Sequence, residues 1–403
     1  MAVQPTRLDP AQDAARLLGR LGFAILMIAA PLAAVGGRRA LVILVPVAVV
    51  LLVLAAAIES DGREPWRRAR DMILTPAGGL LSFLLFWSAL SLVWTPFPAE
   101  AAERFANVAG AAALSLLCVA SLPRRMRASN LYLLPVGVGM TALALIASIF
   151  RPGLGLVEEG GLAQRAALLC VLLTPAALTW LLMRNKPLLG YGLLLLVALA
   201  AVLAQSWGIV AALVIGAGVY ALALHRAVLA RRIVLAVTAG LVLCAPLVPI
   251  LLRPITKLLF GLADPRSDAI RIWMRVVTHE PARLLTGHGF DTAIRARLAG
   301  LVPANSPRGL LFELWYELGL LGAIAAALLI WRIVAAAAQS SSRDGAAILA
   351  LLAMGFVLAM LGQGATQAWW LLALLIAIVA LAAVRRAHER AVRLTPSGSF
   401  QRP

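Results

Sequence analysis

Three runs, Asp264-Pro265-Arg266-Ser267-Asp268, Arg271-Ile272-Trp273-Met274-Arg275 and Gly287-His288-Gly289-Phe290-Asp291, fall inside one polar, arginine-rich interruption spanning residues 253–309. Long apolar segments flank it and recur along the chain. Many reach the roughly 17–25 residues that a helix needs to cross a bilayer. The interruption is then the part of the chain that must live outside lipid. The rest reads as an all-α, polytopic helical membrane protein.

Composition agrees. The 403 residues are 62% hydrophobic and 13% charged, with mean hydropathy +0.93. A soluble domain is nearer half apolar and a quarter charged. A net charge of +18 would suggest nucleic acid in a soluble protein. Here the basic residues cluster in short loops between spans, so topology accounts for them and no nucleic-acid partner is expected. Nearly all are arginine, since Lys186 and Lys257 are the only lysines. Cys118, Cys170 and Cys244 sit in apolar runs with no CxxC or histidine neighbours. They read as small buried hydrophobes, with neither disulfide nor metal.

Hydropathy predicts about twelve spans, near residues 17–36, 40–58, 73–94, 105–122, 131–150, 166–183, 188–204, 207–225, 233–252, 310–331, 345–363 and 367–384. The chain is expected to form a single integral membrane domain, 1–403, with 253–309 as its one large loop and 385–403 as a flexible basic tail. With the N-terminus inside, 22 of the 36 Lys and Arg residues fall on the cytoplasmic side and 5 in short outer loops. That bias places both termini in the cytoplasm and the large loop outside.

The loop has structure of its own. Ser267 or Asp268 is placed to cap a helix starting near Ala269. Ile270, Trp273, Met274 and Val277 then share one face, while Arg271 and Arg275 share another. Pro281 stops the helix. Such a helix lies on the membrane interface or lids a cavity, apolar side down. Its arginines face either lipid headgroups or a specific diphosphate. Gly287-His288-Gly289 permits a tight turn and close backbone approach, with His288 a candidate acid–base group. Beyond Ser306-Pro307-Arg308-Gly309, Glu313 and Glu317 share a face at the start of a span. A carboxylate entering a bilayer is costly and faces a cavity or a partner. Glu317 is therefore the leading intramembrane candidate, with an ion pair to a loop arginine as the structural alternative.

Together the run around R-I-W-M-R and L-T-G-H-G-F-D (residues 271–291) and E-L-W-Y-E-L-G-L-L-G (residues 313–322) resembles the O-antigen ligase/polymerase family of bacterial inner-membrane proteins. Leu92-Val93-Trp94-Thr95-Pro96-Phe97-Pro98 is similar to the family's early-span ending, and Gln164-Arg165-Ala166-Ala167 to its entry into a middle span. The resemblance implies a twelve-span enzyme with a large periplasmic loop. It implies transfer of a polysaccharide from undecaprenyl diphosphate to lipid A–core oligosaccharide or another acceptor, without metal or nucleotide cofactor. It also implies diphosphate binding by Arg271 and Arg165, which Arg275 would join from its place beside Arg271 on the helix face. The family's paired loop histidines fall on Ser306-Pro307-Arg308-Gly309 and are absent. Arginine is no base at neutral pH. Either Glu317, Glu313 or His288 takes that role, or Arg308 only binds phosphate, or ligase chemistry is lost. A polymerase of the same family, a non-catalytic relative and a lipid or glycan transporter are the alternatives. Transport is the least favoured, because the polar residues gather at span ends and no repeat is visible.

Overall fold

The computed structural model describes residues 10–37, 39–60, 62–123, 128–150, 161–261, 264–362 and 367–394. Among them there is no strand. The helices run α1 (Pro10–Ala33), α2 (Ala40–Glu59), α3 (Glu64–Ile73), α4 (Pro76–Val93), α5 (Pro98–Ser121), α6 (Leu133–Phe150), α7 (Leu162–Met183), α8 (Pro187–Leu203) and α9 (Trp207–His225). They continue as α10 (Ala227–Leu243), α11 (Val248–Phe260), α12 (Pro265–His279), α13 (Arg283–Thr286), α14 (Thr292–Leu298), α15 (Leu310–Ala338), α16 (Ser342–Met360) and α17 (Ala368–Leu394). The protein is an all-α, polytopic membrane protein.

Among the described residues, ten helices are long and apolar enough to cross a bilayer, and α10 with the helix after it makes an eleventh if counted as one broken span. The apolar α8, at 17 residues, sits at the short limit. The span expected at 233–252 is not straight. The chain turns by 70° between Ala227–Leu243 and Ala245–Leu259, where Pro246 follows the last turn of α10. A hydropathy average cannot see such a bend. Cys244 sits at the turn and is exposed, unlike the buried Cys118 and Cys170. At the other end, α17 runs on to Leu394, into the segment expected as a tail. Residues 395–403 lie outside the described residues, as do Arg7, Arg38, Arg124, Arg125, Arg127, Arg151 and Arg402 of the charge tally.

Contacts divide the chain into two compact units. One comprises Met1–Ala69, Leu114–Val210 and Leu372–Pro403, the other Arg70–Ala113 and Ala211–Leu371. In the first unit, α7 is buried along most of its length. Arg68 and Arg386 donate to carbonyls at the end of α5, those of Val119, Ala120 and Leu122. The last carbonyls of a helix have no partner within it, and guanidinium groups answer that need here.

In the second unit, α15 packs on α4, α10 and α16. The Trp315 indole donates to the carbonyl of Val242 at 2.6 Å, in a buried position. That carbonyl belongs to the last turn of α10, just before the bend. Trp315→Phe keeps most of the packing but strands the carbonyl, a loss of about 1–3 kcal/mol. Thermal unfolding in detergent should show a lower Tm. An unchanged Tm would mean that the indole bond does not support the bend.

Candidate functional site

The site is built on a break in a membrane span. Within α15 the backbone leaves helical geometry at Gly319, with φ 63° and ψ −158°. A break of this kind releases carbonyls of the preceding turn, and in lipid each must find another donor. Three do so outside the helix. The carbonyl of Tyr316 accepts from the His288 amide at 2.7 Å, and that of Glu317 from the Gly289 amide at 3.1 Å. The Leu318 carbonyl accepts from the Trp87 indole at 2.9 Å. Two glycines make this backbone-to-backbone contact possible. A β-carbon on Gly319 would stand 2.6 Å from the Gly287 nitrogen, and one on Gly287 2.1 Å from the Glu317 carbonyl oxygen. Both also adopt positive φ, which side chains resist.

The strap that follows Gly287 is fastened at each step. The Phe290 amide donates to Ser91 Oγ at 3.0 Å. The Thr95 hydroxyl bonds the Phe290 carbonyl at 3.3 Å and the Thr292 hydroxyl at 3.1 Å. Glu317 Oε1 accepts from the Ala293 amide at 3.2 Å, at the start of α14. Asp291 is fully buried in left-handed backbone, with Arg104 Nε at 3.5 Å and Arg295 Nε at 3.2 Å. Burial pushes its carboxyl above the usual carboxylate range, and Arg104 pulls it back.

His288 is held on three sides. Its ring stacks on Tyr316 with centroids 4.1 Å apart. Nδ1 lies 3.1 Å from the Tyr316 carbonyl oxygen and Nε2 lies 2.8 Å from Glu280 Oε2. Both ring nitrogens thus face oxygen acceptors. Tyr316 in turn stacks on Phe312, whose edge meets Trp273 of α12. The cavity among these rings is about 10 Å³, space for a single water. The apolar face of α12 therefore covers protein. Its N-cap is Asp264, whose carboxylate accepts from the Arg266 amide, so the helix starts earlier than Ser267 or Asp268 would give.

An exposed apolar face belongs instead to α11. Leu251, Ile255, Leu258 and Leu259 recur at i, i+4, i+7 and i+8, and all are exposed. A stripe of that spacing on a helix turned away from its span suits the membrane interface. Its Arg253 and Lys257, four residues apart, fall on another side. Between α11 and α12 lies a pocket of about 310 Å³ walled by Arg253, Pro254, Thr256, Lys257, Ser267 and Arg271. The Ser267 hydroxyl ties the hairpin together, donating to Gly261 O at 2.6 Å. Arg271 is bonded to Asp268 at 2.7 Å. Among the described residues Arg253 and Lys257 have no acidic partner, so the pocket carries uncompensated positive charge.

No family model, no curated protein and no solved structure matches the chain.

The expected site residues separate into groups. Arg271 joins the basic pocket with Arg253 and Lys257, which sequence spacing did not single out because they come from another helix. Arg275 is exposed one turn further along α12 and does not wall the pocket. His288 and Glu317 meet at the broken span. Arg308 is exposed, its backbone against Gly362. Arg297 donates to the Pro307 carbonyl beside it and pairs with Glu313 at 3.5 Å. Arg165 belongs to the first unit, in the first turn of α7.

The strap's hold on the break is measurable by hydrogen exchange. Gly319→Ala forces the backbone from its positive φ and drives a methyl group into Gly287. Amides of residues 287–293 should then exchange at least about tenfold faster, roughly 1.4 kcal/mol of lost protection. Equal exchange in the variant would show that the break does not hold the strap.

Proposed function

We propose that this protein is an O-antigen ligase-like glycosyltransferase of the bacterial inner membrane. It moves a glycan from undecaprenyl diphosphate to lipid A–core or another acceptor at the periplasmic face, with both termini cytoplasmic. The observation that carries the reading is the basic pocket at Arg271. Three cations and two hydroxyl-bearing residues surround a space at the low end of ligand-pocket sizes, beside a lipid-facing leucine stripe. That is the chemistry a diphosphate on a membrane-bound carrier requires. Guanidinium groups match phosphate oxygens in forked geometry. Fixed cations also stabilise the charge that develops on the diphosphate as the glycosidic bond breaks, usually the largest catalytic contribution.

A second reading has one specific support. His288, Glu313 and Glu317 are each engaged by neighbours, as a relative that binds lipid-linked glycan without transferring it would allow. Deletion of the gene separates the readings. Under the transferase reading the mature surface polysaccharide disappears from gels, and a copy carrying Arg271→Ala fails to restore it. Accumulation of full-length polymer on the lipid carrier marks a ligase, whereas single repeat units mark a polymerase. An unchanged polysaccharide profile in the deletion strain overturns the transferase reading.

A further inference from the structure

The donor pocket lacks an obvious base in the groups that sequence suggested, and the structure offers another. We infer that Asp268 is the proton acceptor of the transfer, an inference that rests on the reading of the Arg271 pocket as the donor diphosphate site. Asp268 Oδ1 lies 2.7 Å from Arg271 Nη2. Its side chain is 25% exposed, and it neighbours Ser267 and pairs with Arg271, both of which wall the pocket. Oδ2 has no partner among the described residues.

The other loop carboxylates are committed elsewhere. Asp264 caps α12, Glu280 bonds His288 and Asp291 bonds Arg104 and Arg295. Glu280 is also misplaced. Nine residues beyond Arg271, it stands about 13 Å further along α12 and on the opposite side of the helix axis. Proton transfer needs a base within hydrogen-bond reach of the attacking hydroxyl, and that hydroxyl must approach the anomeric carbon next to the diphosphate. Asp268 borders the diphosphate's own arginine. Its place in the first turn of α12 also suits a negative charge.

The acceptor hydroxyl oxygen bonds to the anomeric carbon of the donor. The bond from that carbon to the diphosphate oxygen breaks, and its electron pair leaves with undecaprenyl diphosphate, held by Arg253, Lys257 and Arg271. The hydroxyl proton passes to Asp268 Oδ2. One Nη2 hydrogen of Arg271 orients the carboxylate, which leaves the Nη1 hydrogens for the phosphate.

The test uses the full chain in lipid nanodiscs, with an undecaprenyl-diphosphate-linked oligosaccharide and purified lipid A–core as probes. Asp268→Asn keeps an oxygen for Arg271 but cannot take a proton. It should bind undecaprenyl diphosphate within about twofold of the native protein while kcat falls by about 100-fold or more. Asp268→Glu should recover part of that loss. An Asp268→Asn variant that transfers within about tenfold of the native rate while Arg271→Ala is inactive overturns the inference and leaves the pocket reading intact. So does an Asp268→Asn variant that fails through lost binding. Native-like binding and transfer by Arg271→Ala overturn the pocket reading itself.

Discussion

A membrane leaves no water for a freed carbonyl, and the broken turn at Gly319 has three of them to satisfy. That requirement shapes the second unit. Gly287-His288-Gly289 docks because its amides are the donors that the break demands, and Trp87 supplies the third. Once docked, the strap is committed in register. Ser91 and Thr95 hold Phe290, Glu317 holds Ala293, and buried Asp291 draws in Arg104 and Arg295. The same rule recurs where Trp315 takes the carbonyl of Val242 beside the α10 bend. Irregular backbone is tolerated at these depths only where protein covers it, and here aromatic side chains and a loop do so.

The downstream end of the polar interruption is thus anchored to the bundle, while its upstream end is a hairpin. Apolar residues of α12 seal against Phe312, Trp315 and Tyr316, and the leucine stripe of α11 is left exposed. What remains between the two helices is the basic pocket. Under the proposed function the pocket sits at the membrane interface, where a dielectric below that of water would strengthen its attraction for a phosphate. The anchored strap and the pocket stand at different parts of the loop. His288, Glu313 and Glu317 are bonded at the strap and the broken span, while Arg253, Lys257 and Arg271 wall the pocket.

Much of this architecture was legible in the sequence. Spans follow from length and apolarity, and the 3.6-residue period announced α12 with Arg271 off its apolar face. The Pro246 bend was hidden because hydropathy averages over it, and Leu251 to Leu259 then read as the end of a span rather than an interfacial helix. Gly319 gave no warning, since glycine inside an apolar run is ordinary in membrane helices. Glu317 signalled a functional group by its depth. Its hydrogen bond to a backbone amide depends on a strap folded back from 24 residues away, which no local pattern encodes. The pocket was half visible for the same reason: Arg271 stood out, whereas Arg253 and Lys257 acquire meaning only when the hairpin closes.

The most direct test of the pocket as the seat of a lipid-linked diphosphate is photocrosslinking in native membranes. A benzophenone amino acid placed at Thr256, on the pocket wall, is irradiated and the adduct is identified by mass spectrometry. A covalent adduct with undecaprenyl-diphosphate-linked glycan is expected, reduced when Arg253 and Lys257 are both replaced by alanine. Adducts with bulk glycerophospholipid alone would contradict it.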